Sequence, residues 1–477
     1  MKKFIFTLII LFYAFTAEAQ WENEYNLTGG SSYPSLSRGC MAANGNYINV
    51  VWSDSRDGNS EIYYKRSTDS GQNWGADTRL TNDPDLSGSP TVTALGTFVH
   101  ITWVDFRNGN PEIYYKHSTD YGANWEAVQR LTNDAAASLF PVISASGNDL
   151  HIAWVDERNG NKEIYYKLST NKGVSWGADF RLTQDPLVSD NVSIVSSGSF
   201  VHTVWEDTRD GNYEIYYKRS TNGGTSWDAV SRLTNSTETS QYASISVTGT
   251  VVHIVWVEQL GSNSEIYYIR SANNGVNWDA SIRLTNNSAI SEFPAVFSAG
   301  LYIHAVWDDF RDGNQEIYYK RSTDGGATWS NSVTRLTNDP EDSKVPSVCV
   351  TGSALHVVWS DKRLGSPELF YRRNSTGNPV GITGTTSEIP SNYSLSQNYP
   401  NPFNPVTNIN FSLPKTGNVT LKVFDISGRV VSELFNGSLS AGAYNYDFDA
   451  SQLASGIYFY KLEANDFNQT KKMVLIK

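Results

Sequence analysis

The chain has 477 residues, a formal net charge of −12 and 13% aromatic residues, among them 14 Trp and 27 Tyr. That length exceeds one ordinary hydrophobic core and calls for several domains or a repeat array. The acidic balance repels nucleic acid and anionic membrane surfaces, so no nucleic-acid partner is expected.

Residues 1–19 read as an export signal. Lys2 and Lys3 supply the positive end, Phe4 to Phe15 an apolar core too short to span a bilayer, and Ala17-Glu18-Ala19 a small-x-small cleavage site. The mature chain is expected to start at Gln20. A membrane anchor would need a longer apolar run, and no other stretch approaches that length, so no transmembrane anchor is expected after cleavage.

A Trp recurs at Trp52, Trp103, Trp154, Trp205, Trp256, Trp307 and Trp359, spaced by 51 residues five times and then by 52. Each copy carries four β-rich runs with turn residues between them. In the second copy these are Pro90-Thr-Val-Thr93, Phe98 to Asp105, Glu112 to Ser118 and Arg130-Leu-Thr132. Four strands per unit of this length predict an all-β protein, a β-propeller of seven blades. A parallel β-solenoid has shorter coils, and dense Gly/Asn turns with β-branched runs exclude helical repeats. The array also starts and stops out of phase. Trp21-Glu-Asn-Glu-Tyr-Asn-Leu-Thr28 matches the segment that closes a unit, Trp125-Glu-Ala-Val-Gln-Arg-Leu-Thr132, while the last unit ends after three strands. The N-terminal strand is therefore expected to complete the last blade and close the ring, with the propeller over 20–376. Cys40 and Cys349 lie in the first and last units at equal strand parity, so they are not expected to face each other.

Six turns follow the frame Ser-x-Asp/Asn-x-Gly-x-x-Trp. They carry Asp69 and Trp74, Asp120 and Trp125, Asn171 and Trp176, Asn222 and Trp227, Asn273 and Trp278, and Asp324 and Trp329. The Asp or Asn side chain can accept backbone N–H groups within the turn, Gly takes a positive φ, and Trp packs as an anchor. Roughly residues 21–376 thus resemble the Asp-box, or bacterial neuraminidase repeat, propellers of sialidase type. The resemblance implies that these turns are structural and lie on the face away from the ligand site.

The opposite face carries a repeated loop with Asp54 and Arg56, Asp105 and Arg107, Asp156 and Arg158, Asp207 and Arg209, Asp309 and Arg311, and Asp361 and Arg363. The fifth unit has Glu258-Gln-Leu260 instead. These twelve residues are the ligand-face candidates, able to bond sugar hydroxyls or carboxylates. Their near-identity favours mutual pairing, because a catalytic site needs unlike residues in unlike blades. Six His stand three residues before the strand Trp: His100, His151, His202, His253, His304 and His356. Equivalent positions in adjacent blades are too far apart to share an ion, so no metal or other cofactor is expected. Family sialidases are six-bladed and use an arginine triad, a Tyr–Glu nucleophile pair and an Asp acid. None of these can be carried over residue by residue, and no pair of acids is singled out, so the catalytic residues are unknown.

After a Gly/Thr/Ser/Pro-rich stretch at 377–392, taken as a linker, come Tyr399-Pro-Asn-Pro-Phe-Asn-Pro405, Asn408 to Pro414, Val419 to Val431, Ser455 to Lys461 and Lys471 to Lys477. Strand alternation with Gly/Pro/Asn turns predicts a small β-sandwich. Residues 393–477 resemble the C-terminal sorting domain of the type IX secretion system. That implies engagement of the secretion machinery and a secreted or surface-attached monomer. A generic carbohydrate-binding or fibronectin-like domain is the alternative. Three functions are open: a non-catalytic propeller binding glycan or protein, a sialidase-like exo-glycoside hydrolase, or a structural and adhesive array. An unequal central pocket with unlike acids and a Tyr would favour the enzyme, equal pockets a lectin-like binder, and a flat polar face the third.

Overall fold

A computed structural model describes residues 21–29, 34–375, 377, 382–386, 390–404, 406–415, 417–439, 441–450 and 453–476. The predicted signal peptide, residues 1–19, lies outside them. Among the described residues every assigned element is a β-strand, and no helix is long and apolar enough to cross a membrane.

Residues 25–374 build seven antiparallel sheets, of four strands each except the first, which has five. In one of them Ser138–Ser146, Asp149–Asp156, Glu163–Ser169 and Phe180–Arg181 pair in sequence order as a meander. In Asp149–Asp156 every residue after the first is buried, on both faces of the strand. A sheet that presses a neighbour on each side has no solvent face, which is why the strand mixes apolar residues with hydrogen-bonded polar ones rather than alternating. Trp154 at its centre is 1% exposed. Burying about 200 Å² of such a ring at about 25 cal/mol/Å² stabilises by about 5 kcal/mol.

The Asp-box turns join neighbouring sheets. In the second, Asp120 Oδ1 accepts the Asn124 amide at 2.8 Å, and Ser118 Oγ accepts the Gly122 amide at 2.8 Å. Trp125 then meets the ring of Tyr64, from the preceding sheet, edge-on at 4.9 Å. The same contact joins Trp176 to Tyr115, Trp227 to Tyr166, Trp278 to Tyr217, Trp329 to Tyr268 and Trp74 to Tyr371. Where the last unit runs out of chain, the N-terminus substitutes. Tyr25–Asn26 pairs with Glu368–Asn374, the Leu27 amide donates to Leu369 O at 2.7 Å, and Thr28 bonds Glu368. Trp21 meets Tyr319 edge-on at 5.4 Å, taking the place of an Asp-box Trp.

The first sheet departs from its siblings. Its inner edge is split into Pro34–Ser35 and Met41–Asn44, both paired with Tyr47–Asp54. The chain between them leaves the ladder and carries Arg38 to a cavity of about 410 Å³, lined by the inner strands of all seven sheets. Cys40 and Cys349 are free, buried and part of one apolar cluster. Burial pushes the Cys40 thiol up to about 12.

The C-terminal strands form two four-stranded sheets. One runs Ile382–Thr386, Gly442–Asp449, Val406–Leu413, Ser394–Leu395. The other runs Val430–Leu439, Gly417–Phe424, Gly456–Ala464, Phe467–Leu475. Ile409, Phe411, Leu421, Val423, Tyr460 and Met473 fill one core. The stretch expected to be linker thus contributes a strand, Ile382–Thr386, to the sheet edge.

Candidate functional site

Each ligand-face Asp predicted from the sequence is buried and closed by its own Arg. Arg107 grips Asp105 through Nε at 2.7 Å and Nη2 at 2.6 Å, while Trp103 Nε1 and Ser87 Oγ donate to the same carboxylate at 2.9 and 3.0 Å. Burial alone would raise this carboxyl, but the donors from Arg107 and Trp103 outweigh it and hold it below the ordinary carboxylate range. The same pairing joins Arg56 to Asp54, Arg158 to Asp156, Arg209 to Asp207, Arg311 to Asp309 and Arg363 to Asp361. Each guanidinium also covers an aromatic ring of its own sheet, as Arg107 does Tyr114 at 4.8 Å. Glu258, in the sheet that lacks the Arg, keeps the Trp256 and Ser240 bonds at 2.8 and 2.7 Å. The candidates meet in pairs within sheets and are not brought together around the axis.

The His row is equally local. His100 Nδ1 lies 2.7 Å from Tyr115 Oη, and the same bond joins His151 to Tyr166, His202 to Tyr217, His253 to Tyr268, His304 to Tyr319 and His356 to Tyr371. Burial lowers His100 to about 3 and His151 to about 4, so both are neutral at pH 7. Among the described residues no cluster of His, Cys, Asp or Glu could hold a metal ion.

The unlike residues gather elsewhere. In six sheets the inner strand slips register at one place, as between Leu139 and Val142. The slip is a β-bulge, and in each sheet it holds a non-glycine residue in the left-handed region: Ser89 (φ 50°), Phe140 (50°), Asn191 (50°), Tyr242 (59°), Phe293 (47°) and Val345 (54°). Such a conformation costs about 1–3 kcal/mol and persists only where the surroundings impose it. The six side chains, with Leu36, Ser37 and Arg38 from the split strand, line an opening of about 310 Å³. Phe140 is 47% exposed there. The Tyr242 and Phe293 rings lie 5.0 Å apart.

Behind the opening stand four acids. Asp190 faces Glu206 across one sheet and Glu292 faces Asp308 across another. The corresponding pairs elsewhere are Ser35–Ser53, Gly88–Val104, Leu139–Val155, Gln241–Val257 and Lys344–Ser360. Like charges directly opposite one another destabilise a sheet. Lys162 offsets Asp190 at 2.7 Å. Glu206 accepts Asn191 Nδ2 at 2.9 Å and the Tyr242 amide. Asp308 accepts Gln315 Nε2 at 3.0 Å. Its Oδ1 finds no hydrogen bond of full geometry, although the Val345 amide lies close enough to favour the ionised form. Burial pushes Glu206 and Glu292 up and Asp308 well above the usual carboxylate range. Arg38 reaches across from the first sheet. Its Nη1 donates to Ala243 O at 3.4 Å, its guanidinium stands 4.9 Å from the Tyr242 ring, and it lies in electrostatic reach of Glu206 and Asp308. Its Nη2 is buried without a hydrogen-bond partner.

The repeat hides this site in the sequence, because its signal is what the units share. Subtracting it exposes the signal. The position after the strand Trp reads Ser53, Val104, Val155, Glu206, Val257, Asp308 and Ser360, so two units put acids where the others put Val or Ser.

Residues 46–254 match the BNR repeat-like domain family, and residues 397–477 match the secretion system C-terminal sorting domain family. No curated protein matches the chain. Among solved structures the chain is similar to the polysaccharide lyase Uly1, at 10% identity and a TM-score of 0.48 over 71% of this chain and 90% of that one. It is similar to the endosialidase of phage phi92 at 11% identity and 0.47, over 80% and 71%. It is similar to the Trypanosoma rangeli sialidase at 12% identity and 0.43, over 93% and 89%.

Proposed function

For a chain that carries a BNR repeat-like domain and a secretion system C-terminal sorting domain, we propose an exported propeller that binds a glycan, without turnover, at the opening beside Arg38. The sorting domain marks the chain for type IX secretion to the cell surface or the extracellular space. In this reading residues 20–376 form seven blades closed by the N-terminal strand, residues 1–19 are removed, and residues 393–477, with the strand before them, engage the secretion machinery. The six Asp–Arg pairs brace the face that holds the site and do not touch the ligand.

One observation carries the binding reading: the opening is lined by aromatic rings, aliphatic side chains, hydroxyls, an amide and one guanidinium, and no acid is part of that lining among the described residues. Phe140, Tyr242 and Phe293 offer faces on which a sugar ring can stack, and Asn191, Ser37 and Ser89 offer hydrogen bonds. Glu206 and Asp308, 1% and 0% exposed, are too deep to touch a substrate. A second reading, glycoside hydrolysis, is favoured by the unequal pocket itself. In its Glu292–Asp308 pair, Glu292 is half-buried, lies near Tyr242 and is pushed up by burial, the direction a general acid needs.

A glycan array run with a panel of fluorogenic glycosides tests both. Binding that Phe140→Ala removes, with no glycoside turned over, is the expected result. Turnover abolished by Glu292→Gln with binding retained would replace the first reading by the second.

A further inference from the structure

Resting on the glycan-binding reading, we infer that the axial opening selects uncharged sugars and rejects those carrying a carboxylate. Among the described residues Arg38 is the one charged residue lining the opening. An arginine in such a place invites an anion, but this one is already engaged. Its guanidinium stacks on Tyr242, donates to Ala243 O and lies in the field of both Glu206 and Asp308.

The charges around it leave nothing over for a ligand anion. Lys162 is held by Asp190 at 2.7 Å, and Lys344 lies in the field of Asp308. Three cations thus face four carboxyls. By formal charge three cations against four carboxyls sum to −1, so none of the three is left over for a ligand anion. Tyr242, which lines the opening, lies in the field of Glu206, Glu292 and Asp190 against that of Arg38 alone, so a ligand carboxylate stacked there meets three carboxyls and one guanidinium. A neutral ring meets the aromatic and aliphatic faces of the lining and the Asn191 amide, none of which carries a charge. Juxtaposed like charges discriminate strongly, by more than about tenfold.

The mature full chain should be presented with paired oligosaccharides that differ only in a terminal sialic or uronic acid. The neutral member is expected to bind and its acid-capped partner to bind at least about tenfold more weakly, with the gap narrowing as NaCl is raised. Glu206→Gln removes one repelling charge and frees Arg38, so it is expected to shrink that gap. Acid-capped glycans bound as well as neutral ones, or a gap that Glu206→Gln leaves unchanged, would overturn the selection. If that variant does not fold, the wild-type ratio and its salt dependence decide. Glycan binding of either kind that Phe140→Ala removes keeps the site itself standing. No binding, or binding that Phe140→Ala leaves intact, removes the site and the selection together.

Discussion

Two regions share the same strands in this protein and obey opposite rules. In the segment Trp205-Glu206-Asp207, successive residues face opposite sides of the strand. Trp205 and Asp207 belong to the repeated shell, where Trp205 Nε1 bonds Asp207 at 2.9 Å as in every sibling that has the Asp. Glu206 between them has no counterpart except Asp308. The shell satisfies every sheet in the same way and so can be copied. The mouth draws one residue from each copy and turns six like positions into a single set of unlike groups. The copies agree where they hold one another together, and they differ at the mouth.

The sharpest way to separate the regions is acid. Five shell histidines are held neutral, His151 at about 4 and His100, His202, His253 and His356 at about 3. Unfolded His takes a proton near pH 6.5, and these folded ones refuse it until far lower. The unfolded state therefore binds more protons in that window, and stability falls as pH drops through it. At pH 5 each buried His costs about 2 kcal/mol relative to pH 7.5, before the carboxylates lowered by Arg, such as Asp105, add their loss below about pH 4. Glu206, Glu292 and Asp308, raised by burial, titrate in the opposite sense, so the mouth resists what undoes the shell. Thermal midpoints taken from pH 7.5 to 5 are expected to fall steeply. A flat profile would mean that the His–Tyr bonds are not the shell's weak point.

Gly122→Ala is the next largest effect. Gly122 sits at φ +79°, and a Cβ there would stand 1.9 Å from Tyr64 Oη, in the ring that carries the Trp125 contact. A loss of about 3 kcal/mol or more is expected in chemical denaturation. Gly109→Ala is the matched control on the opposite face. It has a similar φ, +91°, but nothing within 4 Å, so it should cost about 1 kcal/mol. Equal costs for the two would show that backbone conformation, and not contact between sheets, governs the Asp-box glycine.

The shell was legible in the sequence because it is periodic. The Trp spacing, the turn frame and the out-of-phase ends specify the sheets, and the pairing of Tyr25 with Tyr371 follows from the match between Trp21–Thr28 and Trp125–Thr132. The mouth was not, for two physical reasons. A bulge at Phe140 or Tyr242 is a backbone event, since neither residue prefers a positive φ and nothing local announces one. The approach of Arg38 to Ala243 spans 205 positions and depends on the ring as a whole. The strand at Ile382–Thr386 was hidden by its Gly/Thr composition, which reads as linker until a sheet edge is there to receive it.

Phe140 tests the mouth with little disturbance to the shell. It is 47% exposed and pays for no core packing, while its φ of 50° is unfavourable for any side chain. Phe140→Gly is expected to raise stability by about 1 kcal/mol and to weaken glycan binding by tenfold or more, since a stacking face is lost. Stability and binding moving together would argue that Phe140 serves the fold.

The smallest effect should come from exchanging the two forms of the Asp box. Three boxes carry Asn, and Asn171 does with Oδ1 what Asp120 does, accepting the amide four residues on, from Ser175, at 2.9 Å. Its Nδ2 donates to Ser175 Oγ at 2.8 Å, and in Asn171→Asp that hydroxyl can turn and donate instead. The turn needs an acceptor at this position and has no use for the charge itself, so stability is expected to change by about 0.5 kcal/mol or less at pH 7, with or without added calcium. A calcium-dependent gain in Asn171→Asp would instead give the Asp form a cation to hold, and would separate the Asp boxes from the Asn boxes in role as well as in residue.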